Sequence, residues 1–164
     1  MTDAAAPSIR LAVAGDLATV ERLTEEAYMP YAPLLGAPPL PVGEDYAPRI
    51  AAGQIWLLET AGVPAGLIVL EANADHMLIY SVVVAPAFQG RRLGHRLLDW
   101  AEQRAALAEL KRMRLFTNER LTGNIGLYAA YGYVEKERRF HPSRDGWTVV
   151  YMEKDLTRKD VSGR

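Results

Sequence analysis

Apolar and polar positions follow two rhythms along this chain, and the switches between them mark its elements. Ser8–Val13 is a short apolar-rich run that predicts a first strand. From Gly15 to Tyr28 the period becomes helical. Leu17, Val20, Leu23, Thr24 and Ala27 share one face, and Asp16 stands where an N-cap is expected. Five prolines between Pro30 and Pro41 then bar a long regular element while leaving room for a short helix, because proline lacks an amide donor and crowds the preceding turn. Another short helix is predicted over Glu44–Ala52.

Gln54–Glu59 and Pro64–Glu71, joined through Ala61-Gly62, predict a hairpin. After a turn at Ala72–Asp75, the β-rich run His76–Val84 predicts a long strand that Pro86 stops. Gly94–Glu109 carries Leu97, Leu98, Ala101, Ala105 and Ala108 at the spacing of a buried helical stripe. Arg112–Asn118 reads as a strand, and the segment from Thr122 as a short helix capped by Gly132. Tyr133–Arg139 and Trp147–Leu156 read as two closing strands. Residues Met1–Pro7 and Thr157–Arg164 are expected to fray. Three antiparallel strands precede the long helix, and later strands join around it, which predicts α+β rather than a doubly wound parallel sheet.

At 164 residues the chain suits a single domain with a core over about residues 8–156, large enough to hold together without staples. It has no cysteine, which excludes disulfides, thiolate metal sites and a cysteine nucleophile. No apolar run is long enough to span a bilayer, and the N-terminus lacks the pattern of a secretory signal, so a cytoplasmic location and no membrane partner are expected. The net charge of −1 conceals an asymmetry. Residues 1–80 hold three Lys/Arg against ten acids, whereas residues 81–164 hold sixteen against ten. That split is either chance variation over solvated faces or an acidic half facing a cationic substrate and a basic half facing a phosphorylated one.

The densest chemistry lies where the long strand hands over to the long helix, in Gln89-Gly90-Arg91-Arg92-Leu93-Gly94-His95-Arg96. A helix N-terminus presents unpaired N–H groups and a partial positive charge, and nearby glycines let a bulky anion approach the backbone. The turn is either such a phosphate cradle or a plain connection with surface arginines. Nucleoside-triphosphate and dinucleotide glycine motifs are absent, as are a nucleophile-elbow serine and a metalloprotease helix. His76, His95 and His141 are too scattered to suggest a metal. The chain is not basic overall and has no aromatic-studded basic strand, so nucleic acid is not expected as a partner.

These residues carry a family resemblance. A β-rich strand ending in Val82-Val83-Val84, followed by Gln89-Gly90-Arg91-Arg92-Leu93-Gly94, resembles the acyl-CoA-binding motif of the GNAT superfamily of acetyl-CoA-dependent N-acyltransferases, usually written [QR]-x-x-G-x-[GA]. Arg92 stands where the middle glycine is usual. The likeness continues through the first strand and helix, the region Arg112–Arg139 with its Thr117-Asn118 and Asn124-Ile125…Tyr128…Gly132-Tyr133 pattern, and the closing strand.

The resemblance implies a mixed, mostly antiparallel sheet of six to seven strands, splayed between strands 4 and 5 and flanked by about four helices. It implies acetyl-CoA as co-substrate, no metal, and a small-molecule or peptide amine as acceptor. Backbone groups of Val82, Val83 and Val84 would hold the pantetheine arm or polarise the thioester, and residues Gln89 to His95 would hold the pyrophosphate. Tyr128 matches the family's proton donor, although it could simply pack the last helix. Asn124 would contact the cofactor arm or cap that helix. Glu71, Glu119 and Glu59 are candidate bases, with Glu71 preferred. Tyr28, Tyr31 and Tyr46 fall in the family's substrate-side loop, where Glu25, Glu26, Glu44 and Asp45 would favour a cationic amine. With no cysteine and no elbow serine, direct transfer in a ternary complex is expected. The alternative is a catalytically idle acyl-CoA-binding module. A homodimer is left open.

Overall fold

Proline placement explains the first stretch of the computed structural model, which describes residues 6–157. The expected fraying of the two ends falls almost wholly outside that range. After β1 (Ser8–Leu11), helix α1 (Leu17–Tyr28) runs into a 3₁₀ turn at Met29–Tyr31 and then α2 (Ala32–Leu35). Pro30 and Pro33 each sit in the first turn of a new segment, where a missing N–H costs nothing. The chain therefore stays helical but breaks into short pieces until Gly36 ends it. Helix α3 follows at Ala47–Ala51.

Strands β2 (Ile55–Thr60), β3 (Val63–Ala72) and β4 (Met77–Val84) come next, then α4 (Leu93–Leu107), β5 (Arg112–Asn118), α5 (Thr122–Ala130), β6 (Val134–Phe140) and β7 (Thr148–Asp155). The seven strands lie in the order β1-β2-β3-β4-β5-β7-β6. All the registered pairs are antiparallel except β4 with β5, whose parallel register runs from Met77–Met113 to Ile79–Leu115 and stops there although both strands continue. That mixed, mostly antiparallel sheet of seven strands is the one the resemblance implied.

The chain clusters into two compact units, one made of the residues up to Leu70 with Ser81–Trp100, the other of Glu71–Tyr80 with the residues from Ala101 onward. In the first unit, β3 buries every residue from Ala65 to Leu70, a continuous run expected of a strand covered on both faces. Val20 and Leu23 of α1, with Leu57 and Leu58 of β2, are buried in the same unit. In the second unit β7 lies between β5 and β6, ahead of its chain order. Composition gives the reason. Val149, Val150 and Met152 of β7 are buried, whereas every residue of β6 is exposed, so the apolar strand takes the inner place and the charged one the edge.

Asp16 departs from its expected role. It occupies the N-cap position of α1 but its side chain makes no capping bond there. Its carboxylate accepts from the Val13 amide at 2.7 Å and from the two Arg10 amino groups at 2.8 and 2.9 Å. It thereby ties the end of β1 to the turn before the helix.

Candidate functional site

In the first unit, β4 reaches α4 through a 3₁₀ turn at Pro86–Phe88 and the residues Gln89 to Arg92. Gly90 has φ 83° and Arg92 φ 60°, both left-handed, so the backbone curls twice before the helix starts. Leu93, 4% exposed, anchors that start in the core. Among the described residues no backbone carbonyl accepts from the amides of Gly90, Arg91 or Arg92, and those of Leu93 and Gly94 belong to the first helical turn, which has no intrahelical acceptors. A Cβ at Gly90 or Gly94 would meet nothing within 4 Å, so the approach is open. Arg91, Arg92 and Arg96 are exposed around it, with the Arg91 guanidinium 5.3 Å from the Phe88 ring centroid, and His95 is half-buried in the first turn of α4. Successive free amides with positive charge on the rim suit a phosphate or pyrophosphate.

The end of β4 is held by side chains. Val83 is buried, and Val82 and Val84 are half-buried. The Gln89 side-chain amide donates to the Val84 carbonyl at 3.3 Å, so this residue pins the strand end. The Tyr28 hydroxyl lies 3.1 Å from Ser81 Oγ and donates to the Val82 carbonyl at 3.5 Å, a long contact. Burial pushes the Tyr28 hydroxyl above its usual pKa, so it stays protonated.

The proline-rich loop brings its three tyrosines to different fates. Tyr46 is 1% exposed and donates its hydroxyl to the Pro41 carbonyl, which packs it into the loop. Tyr28 is committed to β4, which leaves the half-buried Tyr31 as the one of the three with no such tie among the described residues. The acidic neighbours are also partly spent. Arg49 pairs with Glu44 at 2.6 Å, Arg22 with Glu26 at 3.1 Å, and Asp45 accepts from the Ala47 amide at the start of α3.

In the second unit, Asn124 and Tyr128 stand one helical turn apart on α5. The N-cap of α5 is Leu121 with no side-chain capping bond, so the Asn124 amide is not spent on capping. Tyr128 is 9% exposed, its ring 6.1 Å from that of Tyr133 at 66°, an edge-on pair. Tyr133 is more deeply buried, its hydroxyl has no hydrogen-bond partner among the described residues, and burial pushes its pKa up. Glu71 is the second-last residue of β3, six residues beyond Ala65, whose carbonyl accepts from the Ala85 amide. At about 3.3 Å per residue that is roughly 20 Å of strand. Glu59 sits at the end of β2 in a pair with Arg10 at 3.0 Å, and Glu119 pairs with Arg138 at 3.4 Å. Among the described residues no three His, Asp or Glu side chains gather as a metal site would need, and no helix is long and apolar enough to cross a membrane.

The model of the acetyltransferase (GNAT) family matches residues 20–133, more than half of the chain. The chain belongs to the GNAT acetyltransferase family. Solved GNAT structures share its fold at low identity. The PaiA N-acetyltransferase of Thermoplasma acidophilum, in complex with coenzyme A, superposes with TM-score 0.76 at 17% identity over 92% of this chain and 99% of that one. A GNAT family acetyltransferase of Elizabethkingia anophelis with acetyl-CoA bound gives TM-score 0.71 at 19% identity, over 92% and 98%. The ribosomal-protein-S18-alanine N-acetyltransferase of Escherichia coli gives TM-score 0.71 at 16% identity, over 95% and 97%.

Two residues of this GNAT chain escaped the reading of its sequence. Gly66 would bring a Cβ to 2.5 Å from the Val83 carbonyl oxygen, and Ser81 partners Tyr28. A glycine inside the apolar run of β3 was the available signal for close backbone approach. Nothing local marked Ser81.

Proposed function

We propose that this chain binds acetyl-CoA and transfers its acetyl group directly to an amine within a ternary complex, with no covalent acyl-enzyme. The observation that carries this reading is the run of amides from Gly90 to Gly94 without backbone acceptors among the described residues, with Arg91, Arg92 and Arg96 exposed beside it, at the end of a strand in a GNAT fold. These amides would hold the pyrophosphate, with Gln89 keeping the strand end in place from behind. The cofactor supplies an acyl thioester, an activated carbonyl with a good leaving group.

The chemistry then needs a neutral amine, a stabilised oxyanion and a proton for the leaving thiolate. A free alkylamine has a pKa of about 10.4, so its proton must leave before attack. We assign that proton to water. Glu71 sits far along β3 from the Ala65–Ala85 contact, and Glu59 and Glu119 are held by arginines. The amine nitrogen attacks the thioester carbon, and the amide N–H of Val83 or Val84 is the assigned donor to the developing oxyanion. Collapse breaks the C–S bond. Tyr128 is assigned to protonate the thiolate, whose conjugate acid has a pKa near 8.5 in cysteine-like thiols, within reach of a phenol. Asn124, on the same face of α5, would contact the cofactor arm. Tyr31 is the loop tyrosine assigned to the acceptor. Small amines and peptide N-termini are the acceptor classes to test.

Thiol release from acetyl-CoA across an amine panel, with the Tyr128→Phe variant alongside, tests the reading. The wild-type chain should turn over at least one amine. The variant should bind acetyl-CoA within about twofold while kcat falls on the order of 10²-fold, the lower end of general-acid contributions. Binding without turnover on any amine would replace the enzyme with an acyl-CoA-binding module. Absence of acetyl-CoA binding would overturn both.

A further inference from the structure

A second feature of the chain lies wholly in its second unit and is independent of the acetyl-transfer reading. Residues of β5, β7 and β6, with His76 and Leu78, line an open cavity of about 700 Å³, within the range of small-molecule sites. The strand registers explain its layout. Arg114 pairs with Glu153 across β5 and β7, Phe116 with Tyr151, and Tyr151 in turn with Glu137 of β6. Because side chains alternate along a strand, Arg112, Arg114 and Phe116 share one side of β5, while the buried Met113 and Leu115 point mainly to the other.

The cavity has an apolar floor and a cationic rim. The Phe116 ring lies 6.2 Å from that of Tyr151 and 6.2 Å from that of Tyr80, and Leu78 extends the apolar surface. On the rim, the single carboxylate of Glu153 is shared by Arg112 at 3.2 Å and Arg114 at 2.9 Å. Two guanidinium groups offer ten N–H donors between them, and one carboxylate cannot occupy them all. Glu137 is already matched from outside the cavity by Arg139 at 2.7 Å, which also lies 5.6 Å over the Tyr151 ring. Lys136, also on the lining, has no carboxylate within 4 Å among the described residues. His76 Nδ1 lies 3.5 Å from the Arg114 guanidinium and is itself paired with the Asp75 carboxylate at 2.7 Å. The lining itself thus carries Arg112, Arg114 and Lys136 against the carboxylates of Glu137 and Glu153, with Asp75 beside His76 and Asp155 opposite Arg112 at its margin.

We propose that this cavity binds a small molecule bearing a carboxylate or phosphate on a flat apolar body. The anion would take the spare donors of Arg112 and Arg114, with Lys136 as a point charge, and the body would lie against Phe116 and Tyr151.

Naphthalene probes test this with the full chain, by calorimetry and by NMR shifts of the Arg112 and Arg114 Nε–H groups. 2-Naphthoate and 2-naphthyl phosphate cover the two anion types, 2-naphthalenemethanol removes the charge, and inorganic phosphate removes the ring. Both aromatic anions should bind and shift those guanidinium signals, while the alcohol and inorganic phosphate bind at least about tenfold more weakly, the loss of one charge-assisted bond or of the ring. Arg114→Gln should weaken 2-naphthoate on the order of tenfold and Lys136→Gln about threefold. Glu153→Gln should tighten it, since it frees both guanidinium groups. That last sign separates the proposal from general loss of structure, and Lys136→Gln serves if Arg114→Gln lowers the melting temperature. Equal binding of the alcohol, equal binding of inorganic phosphate, shifts confined to other residues, or weakened binding in Glu153→Gln would each overturn the proposal.

Discussion

A Cβ built on Gly66 would lie 2.5 Å from the carbonyl oxygen of Val83 and 3.4 Å from the Cα of Val84. These are backbone atoms of neighbouring strands, so neither can swing aside. The closeness of β3 to the end of β4 therefore depends on the absence of a side chain at residue 66.

Gly66→Ala should accordingly displace the Val83–Val84 backbone. Overpacking of this kind costs about 1–3 kcal/mol, which for a chain of this size lowers the melting temperature by roughly 2–4 °C per kcal/mol. Differential scanning calorimetry checks the stability. Acetyl-CoA titration should show weaker binding at the same time, because the moved strand end carries the groups assigned to the cofactor arm. A variant as stable as wild type with unchanged affinity would refute the link.

Arg92 holds φ 60° where the family pattern has glycine. An L-residue in that region costs roughly 1–2 kcal/mol, and glycine removes the strain but adds about 0.5–1 kcal/mol of chain entropy to the cost of folding. Arg92→Gly should therefore leave stability within about 1 kcal/mol of wild type. Arg92→Val, β-branched at the same φ, should lose more than Arg92→Gly. Urea unfolding of the pair decides it, and equal midpoints would contradict the conformational account.

Glu71→Gln should change kcat/KM by less than about threefold, against the 10²–10⁴ that a positioned general base contributes. The measurement needs whichever amine the panel identifies. A fall of two orders of magnitude would reinstate Glu71 as the base, despite its place near the end of β3.

The Asp16 carboxyl is held below its ordinary pKa, first by its hydrogen bond from Arg10 and then by that from the Val13 amide. A depressed folded-state pKa contributes stability that is fully present above the unfolded value and is lost as pH falls through the folded one. Wild type should thus be more stable than Asp16→Asn at pH 7, and the gap should narrow below about pH 4, near the unfolded carboxyl value. Urea midpoints at pH 7, 5 and 3 check this. A gap that widens toward acid would reverse the sign.

Most of the fold is legible in the residues because its signals are local. The helical period of Leu17 to Ala27, the apolar run of β3, the alternation in β4 and the proline spacing after Tyr28 each act over a few neighbours, and the observed elements fall within a few residues of those readings. The turn from Gln89 to Gly94 was legible for the same reason: its glycines, arginines and helix start are contiguous. Residue 92 shows the limit, since the letters mark a departure from glycine but only the φ angle shows what that departure costs.

Side chains whose roles depend on distant partners were not legible. Tyr28, Tyr31 and Tyr46 look alike in sequence, yet one hydroxyl meets Ser81 and Val82, fifty-odd residues away, and another closes its own loop on Pro41. Glu44 and Glu26 read as free acids until Arg49 and Arg22 are seen beside them.

By itself, then, the chain's sequence determined the type and order of its elements and the glycine- and arginine-bearing turn before α4, because backbone preference and hydrophobic period act along the chain. Tertiary structure alone decided that β7 inserts between β5 and β6, that Gly66 must be small, and that Arg112, Arg114 and Lys136 rim one cavity. Those outcomes depend on which strands pair and in what register, a choice made by burial of apolar faces across the whole sheet.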